Sequence, residues 1–118
     1  MAQVLNSSET QLVCLQYGEV SEEIDALKTE FGIDVIQVPE VDNRNDIDGL
    51  ASLIMACDKV VSTTNVTVHL AGALGADGRV LLPFSARWIW GRDQSRSSWY
   101  GSVTAYRQKV PGDWGNVL

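Results

Sequence analysis

Lys59-Val60-Val61-Ser62-Thr63-Thr64-Asn65-Val66-Thr67-Val68-His69-Leu70-Ala71-Gly72-Ala73-Leu74-Gly75 is the stretch whose reading decides the fold. The spacing predicts a strand over 59–62 and a short helix over 66–74, with Gly75 marking the helix end. Ser62 to Asn65 then forms the loop that leaves the carboxyl end of a strand and leads into a helix. In a parallel α/β sheet, ligands gather beyond such ends. A helix start carries free N–H groups and the positive end of the dipole, so a phosphate placed there meets backbone donors plus the hydroxyls of Thr64 and Thr67. His69 follows Asn65 by one helical turn on the same side, in reach of a phosphate oxygen or a leaving diphosphate. The same residues also fit a plain helix start, with Asn65 as N-cap, Thr67 as first-turn filler and His69 as a surface histidine. Local spacing leaves both readings open.

Working outward, strand and helix patterns alternate. Leu12-Val13-Cys14-Leu15 is a short apolar run suited to a strand buried on both faces, and it ends at Tyr17-Gly18. Ser21-Glu22-Glu23 starts a helix in which Ile24, Leu27 and Phe31 are expected to face the core, and Gly32 stops it. Val35-Ile36-Gln37-Val38 is a second strand closed by Pro39. An acidic loop, Glu40 to Asp48, leads to a helix over Leu50 to Ala56. Beyond Gly75, Val80-Leu81-Leu82 is a fourth strand closed by Pro83, and Val103 to Arg107 alternates as a last short one. The alternation is that of βαβ units, whose right-handed crossovers place helices on both faces of a mostly parallel sheet of about five strands.

Between Pro83 and Val103 the style changes. Trp88, Trp90, Trp99 and Tyr100 are interleaved with Arg87, Arg92, Asp93 and Arg96 without a clean period, as in a long functional loop. Its indoles are suited either to stacking on a sugar or base or to packing as a flap over the domain edge. Pro111-Gly112-Asp113-Trp114 reads as a turn with Asp113 in a capping position.

With 118 residues, 45% of them hydrophobic, the chain suffices for one core, and it reads as a single domain over 11–118 behind a polar leader at 1–10. The net charge of −6, with the nine basic residues scattered, excludes a nucleic-acid surface. No apolar run approaches the roughly 20 residues of a membrane span, and no basic segment followed by an apolar stretch opens the chain, which points to the cytoplasm. Cys14 and Cys57 sit in apolar runs, as reduced packed thiols do. Gly72, Gly75 and Gly78 fall at a helix end instead of between a first strand and its helix, so they form no dinucleotide fingerprint, and there is no Gly-Lys-Ser/Thr phosphate loop. Asp42, Asp46 and Asp48 lack the glycine turn and terminal glutamate of a calcium loop and read as solvated caps.

From Cys14 to about Asn116 the chain resembles the C-terminal part of bacterial glycosyltransferase domains that often follow tetratricopeptide repeats. These are related to the heptosyltransferases and, more distantly, to the O-linked N-acetylglucosamine transferases. The resemblance is carried by Leu15-Gln16-Tyr17-Gly18, the acidic stretch Asp42 to Asp48 before Leu50-Ala51-Ser52-Leu53-Ile54, Val60 to Ser62, Asn65 through Val68-His69-Leu70-Ala71-Gly72 to Gly75, and Leu81-Leu82-Pro83-Phe84. Trp88-Ile89-Trp90, Asp93, Trp99-Tyr100 and Pro111-Gly112-Asp113-Trp114 complete it.

The resemblance implies a Rossmann-like three-layer α/β/α domain, one half of a GT-B fold, that binds a nucleotide-diphosphate sugar without a metal or other cofactor. It implies that the loop and helix start at Asn65, Thr67 and His69, with Thr64 beside them, meet the diphosphate. It also implies that Gln16, followed by Tyr17, faces the nucleotide from the end of the first strand. Tyr17 stands where some members have a basic residue, and Ala76-Asp77-Gly78-Arg79 replaces a shorter, proline-containing approach to the fourth strand. No catalytic base is identified, in keeping with a family whose base is expected on the acceptor half. The partner implied is that N-terminal acceptor domain or a second copy. The alternative is a stand-alone, non-catalytic nucleotide-binding or protein-interaction module derived from the same fold.

Overall fold

Why the strands sort as they do follows from where their backbone groups find partners. The computed structural model describes residues 10–92, 95–115 and 117, so the leader expected at 1–10, apart from Thr10, and Asp93 lie outside the described residues. The chain divides into two compact units, Met1–Leu50 and Ala51–Leu118.

In the first unit, β1 (Leu12–Val13) pairs in parallel with β2 (Val35–Ile36), Leu12 opposite Val35 and Val13 opposite Ile36. The connection between them is α1, Ser21–Phe31. Its acidic first turn, Glu22 and Glu23, suits the positive helix end. Gly32 stops it, as the sequence predicts, with the amides of Gly32 and Ile33 returning to the last carbonyls. The expected buried face is only partly realised. Ile24 and Leu27 are half-buried, but Phe31 is 48% exposed and no residue of α1 is fully buried. The buried apolar residue here is Ile33, just past the helix, whose amide bonds back to Leu27 O at 3.2 Å.

α2, Ile47–Ala56, spans the division between the units and starts three residues before the Leu50 that its apolar pattern marks. Asp46 sets that start by accepting from Gly49 N at 2.8 Å. Leu50 and Ile54, four apart on one helix face, are completely buried.

In the second unit, β3 (Val60–Ser62), β4 (Gly78–Leu82) and β5 (Val103–Arg107) form a sheet in the order β3-β4-β5, every pair parallel. α3, Val66–Leu74, makes the β3-to-β4 crossover with the predicted boundaries. It ends at Gly75, held at φ 75°, a left-handed conformation that glycine adopts without steric cost. The bonds Ala76 N to Ala71 O (3.0 Å) and Gly75 N to Gly72 O (3.2 Å) satisfy the last carbonyls.

The five strands therefore lie in two parallel sheets of two and three strands, which corrects the expected sheet of about five. At the end of β1 the carbonyls of Cys14 and Gln16 accept from the Asn43 side-chain amide, at 3.3 and 3.2 Å, so a side chain takes acceptors with which the β1–β2 ladder would otherwise continue. Pro39 likewise cannot extend β2, since it has no N–H to donate.

Among its described residues the β4-to-β5 crossover contains no α-helix. It carries a 3-10 turn, Trp88–Trp90, and Trp90 drops into the core. That core consists of Val68 from α3, Val80 and Leu82 from β4, Val103 from β5 and the Trp90 indole, flanked by Ala86, Ile89, Tyr100 and Ala105. The flap reading thus holds for Trp90, whereas Trp88 and Trp99 remain 81% and 60% exposed and meet edge to face. On its return the loop lies antiparallel to β5, with Ala105 N bonded to Ser95 O (2.7 Å) and Ser97 N to Val103 O (3.1 Å).

Gly72 on α3 makes room for the loop: a Cβ there would lie 2.4 Å from Tyr100 Cγ. Gly72→Ala should destabilise the protein by about 1–3 kcal/mol through overpacking. Trp90→Ala should cost about 3–5 kcal/mol. Urea titration followed by circular dichroism measures both, and a Gly72→Ala protein as stable as the parent would mean that the ring does not rest on the helix.

Candidate functional site

The loop at the carboxyl end of β3 turns on Asn65. Its backbone is extended (φ −129°, ψ −177°), and its Oδ1 accepts from Thr67 N at 3.0 Å and from Ser62 Oγ at 2.9 Å. This is the N-cap arrangement, so the plain reading of Asn65 is realised in full. A helix start leaves its first amides without partners inside the helix, and the cap answers only that of Thr67. Thr64 is exposed beside the cap, while Thr67 is 5% exposed and presents little of its side chain.

His69 is half-buried one turn further along. Its Nδ1 is 3.1 Å from Tyr100 Oη, and its ring stacks on Trp90 with centroids 5.3 Å apart and planes 27° from parallel. Tyr100 meets the same ring edge-on at 5.7 Å. His69 Nε2 has no partner among the described residues and is not among the buried polar atoms. The aromatic loop thus reaches α3 and grips its histidine. Neither Trp90 nor Tyr100 is marked as a site residue by its local sequence, because each meets His69 only through tertiary contact, Tyr100 from 31 residues away. The available signal is the aromatic loop itself, which leaves the same sheet end.

Gln16 and Tyr17, both exposed, belong to the other unit. There they line an open cavity of about 220 Å³ together with Cys14, Gln37, Asp42 and Asn43. Asn43 Nδ2 is occupied by the two strand-end carbonyls, and its Oδ1 is buried without a partner. Asn43 also escapes the sequence reading, since it stands as one polar residue in an acidic loop.

The acidic loop is organised by its own bonds. Asp42 accepts from Asn45 Nδ2 (2.7 Å) and from the amides of Arg44 (2.9 Å) and Asn45 (3.2 Å), which hold its carboxyl below the usual aspartate range. Asp77 is lowered by its contact with the Arg79 guanidinium at 3.1 Å, and Arg79 also donates to Tyr106 Oη at 2.6 Å. Cys57 is pushed up by burial and by neighbouring Asp58, which suppresses its thiolate. Among the described residues no three His, Cys, Asp or Glu side chains gather as a metal site. None of their helices is long and apolar enough to cross a membrane.

No protein-family profile matches the chain, and no solved structure matches it. The chain is similar to Protein FlbA of Caulobacter vibrioides, 35% identical over 112 residues. The match takes in 94% of this chain but 18% of FlbA, so the chain spans less than a fifth of that relative's length.

Because the folded state holds the Asp42 carboxyl below its unfolded value, its bonds stabilise the loop above the ordinary aspartate range, about pH 4, and are lost as pH falls through the lower folded value. In an acid titration by NMR, the Arg44 amide and Asn45 side-chain signals should move together with a midpoint below that range. Asp42→Asn should abolish the step, and a midpoint at or above the ordinary value would contradict the arrangement.

Proposed function

We propose that this chain is the donor-binding half of a glycosyltransferase, a Rossmann-like α/β/α domain corresponding to one half of a GT-B fold, which takes a nucleotide-diphosphate sugar. The observation that carries the reading is the start of α3. It follows the carboxyl end of a parallel strand, is capped by Asn65, and lies one turn from a histidine held on two sides with Nε2 left open. Thr64 adds an exposed hydroxyl. A diphosphate at this point would receive backbone amides, the positive helix end and the imidazole N–H. Developing charge on a departing nucleoside diphosphate is stabilised by such preorganised donors.

Gln16 and Tyr17, which the resemblance assigns to the nucleotide, line a cavity of the first unit with Gln37 and Asn43. Two parallel sheets with helical crossovers support the fold reading. The partner that the resemblance implies is an acceptor-binding domain or a second copy. The free thiols Cys14 and Cys57 support a reducing, cytoplasmic setting. The catalytic base belongs to the acceptor half, so the isolated chain binds without turnover.

One observation favours a second reading, a binding or interaction module that has kept the fold and lost the chemistry. Asn65 Oδ1 is filled by internal bonds and Thr67 is buried, as a purely structural cap requires.

Calorimetric titration with inorganic pyrophosphate, uridine diphosphate and guanosine diphosphate tests the ligand that the donor reading names. The donor reading expects millimolar or tighter binding of a nucleoside diphosphate, weakened about 10- to 100-fold in His69→Ala, the range for losing a hydrogen bond to a charged group. Asn65→Ala should weaken binding and also lower stability by about 0.5–2 kcal/mol through loss of the cap. Absence of binding to all three ligands by the folded parent chain would overturn it.

A further inference from the structure

The surroundings of the chain's one histidine are more elaborate than a surface residue needs. Tyr100 is fixed at both ends of its own backbone, its N donating to Ser97 Oγ at 3.2 Å and its carbonyl accepting from Val103 N at 3.1 Å. Its ring lies against α3 where Gly72 offers no side chain, which brings the hydroxyl to His69 Nδ1. Trp90 covers one face of the imidazole and Tyr100 closes on it edge-first, so the ring is held in one orientation.

The chemistry of the pair assigns the proton. A phenol is a good donor and a poor acceptor, because its oxygen lone pair is delocalised into the ring, whereas an unprotonated imidazole nitrogen is a strong acceptor. The bond therefore runs from Tyr100 O–H to Nδ1, and the imidazole proton resides on Nε2. In a histidine the bond made by one nitrogen decides the state of the other.

We propose that Tyr100 is a positioning residue for His69: its hydroxyl fixes the ring with Nε2 protonated and open, and this N–H is the donor offered to a diphosphate at the start of α3. For its ligand the inference rests on the donor-binding reading above. The state of the ligand-free pair is independent of that reading.

A single histidine makes the test direct. In a long-range 1H–15N correlation spectrum of the ligand-free chain at alkaline pH, where imidazoles are neutral, Nε2 should carry the proton and Nδ1 should show the shift of a hydrogen-bonded acceptor. Tyr100→Phe, which keeps the ring on Gly72 and removes only the hydroxyl, should move the Nδ1 signal to that of a free nitrogen while circular dichroism stays unchanged. A proton found on Nδ1 in the parent chain, or an Nδ1 signal indifferent to Tyr100→Phe, overturns the proposal.

The second arm is a double-mutant cycle on uridine diphosphate binding. Tyr100→Phe should weaken binding about 3- to 10-fold, as loss of one neutral hydrogen bond does, and should have no further effect in a His69→Ala background. Equal losses in both backgrounds mean that Tyr100 acts on the fold alone and overturn the proposal. If the parent chain binds no diphosphate, the donor reading falls, and with it the ligand named for His69, while the spectra still decide whether Tyr100 sets the ring.

Discussion

Burial of the Trp90 indole is the constraint on which the second unit depends. A parallel crossover ordinarily covers its sheet with an α-helix, and the described residues of the β4-to-β5 connection form none. The apolar volume that a helix face would contribute comes from this one ring, set among Val68, Val80, Leu82 and Val103 at 2% exposure. The loop is secured around it by Arg107, whose guanidinium donates to Gly91 O at 2.7 Å and Trp90 O at 3.4 Å. The arrangement leaves Trp90 Nε1 buried without a partner, a cost of about 1–3 kcal/mol that the packing of a large aromatic offsets. Since the same ring carries His69 on one face, the core and the candidate site share a residue.

Elsewhere, side-chain amides and carboxylates take over backbone roles in the loops. Gln108, 4% exposed, accepts through Oε1 from Phe84 N and Gly112 N at 3.2 and 3.3 Å, tying the two ends of the second unit's connections together. Asn43 closes the end of β1, Asp46 opens α2 and Asn65 opens α3. Each replaces a missing ladder or helix partner, which is why short elements persist here without long regular sheets.

The elements legible in the sequence are those with local punctuation. α3 is delimited by Asn65 and Gly75, and β5 by its alternation, so both appear with the predicted bounds. α1 is delimited as well, but its inward face is not legible, because periodicity reports which residues align and not whether a partner covers them; Phe31 is aligned and exposed. The division of the strands into two sheets is invisible for a related reason. Local patterning marks which residues form strands and not which strands share a ladder. At the candidate site, Asn65 and His69 are readable as a motif. Tyr100 and Trp90 belong to it only through tertiary contact.

The return of the aromatic loop along β5 has a consequence for association. An edge strand with free N–H and C=O groups is a template for strands of other chains. Here residues 95–97 occupy that edge, with the Ala105 amide and the Val103 carbonyl already bonded. Growth of the sheet past β5, whether by domain swapping or into a cross-β stack, would first require peeling this strap away. The crossover that anchors the core from above also seals the sheet from the side, so the flank carrying the exposed tryptophans is closed to strand addition and available only to side-chain contacts.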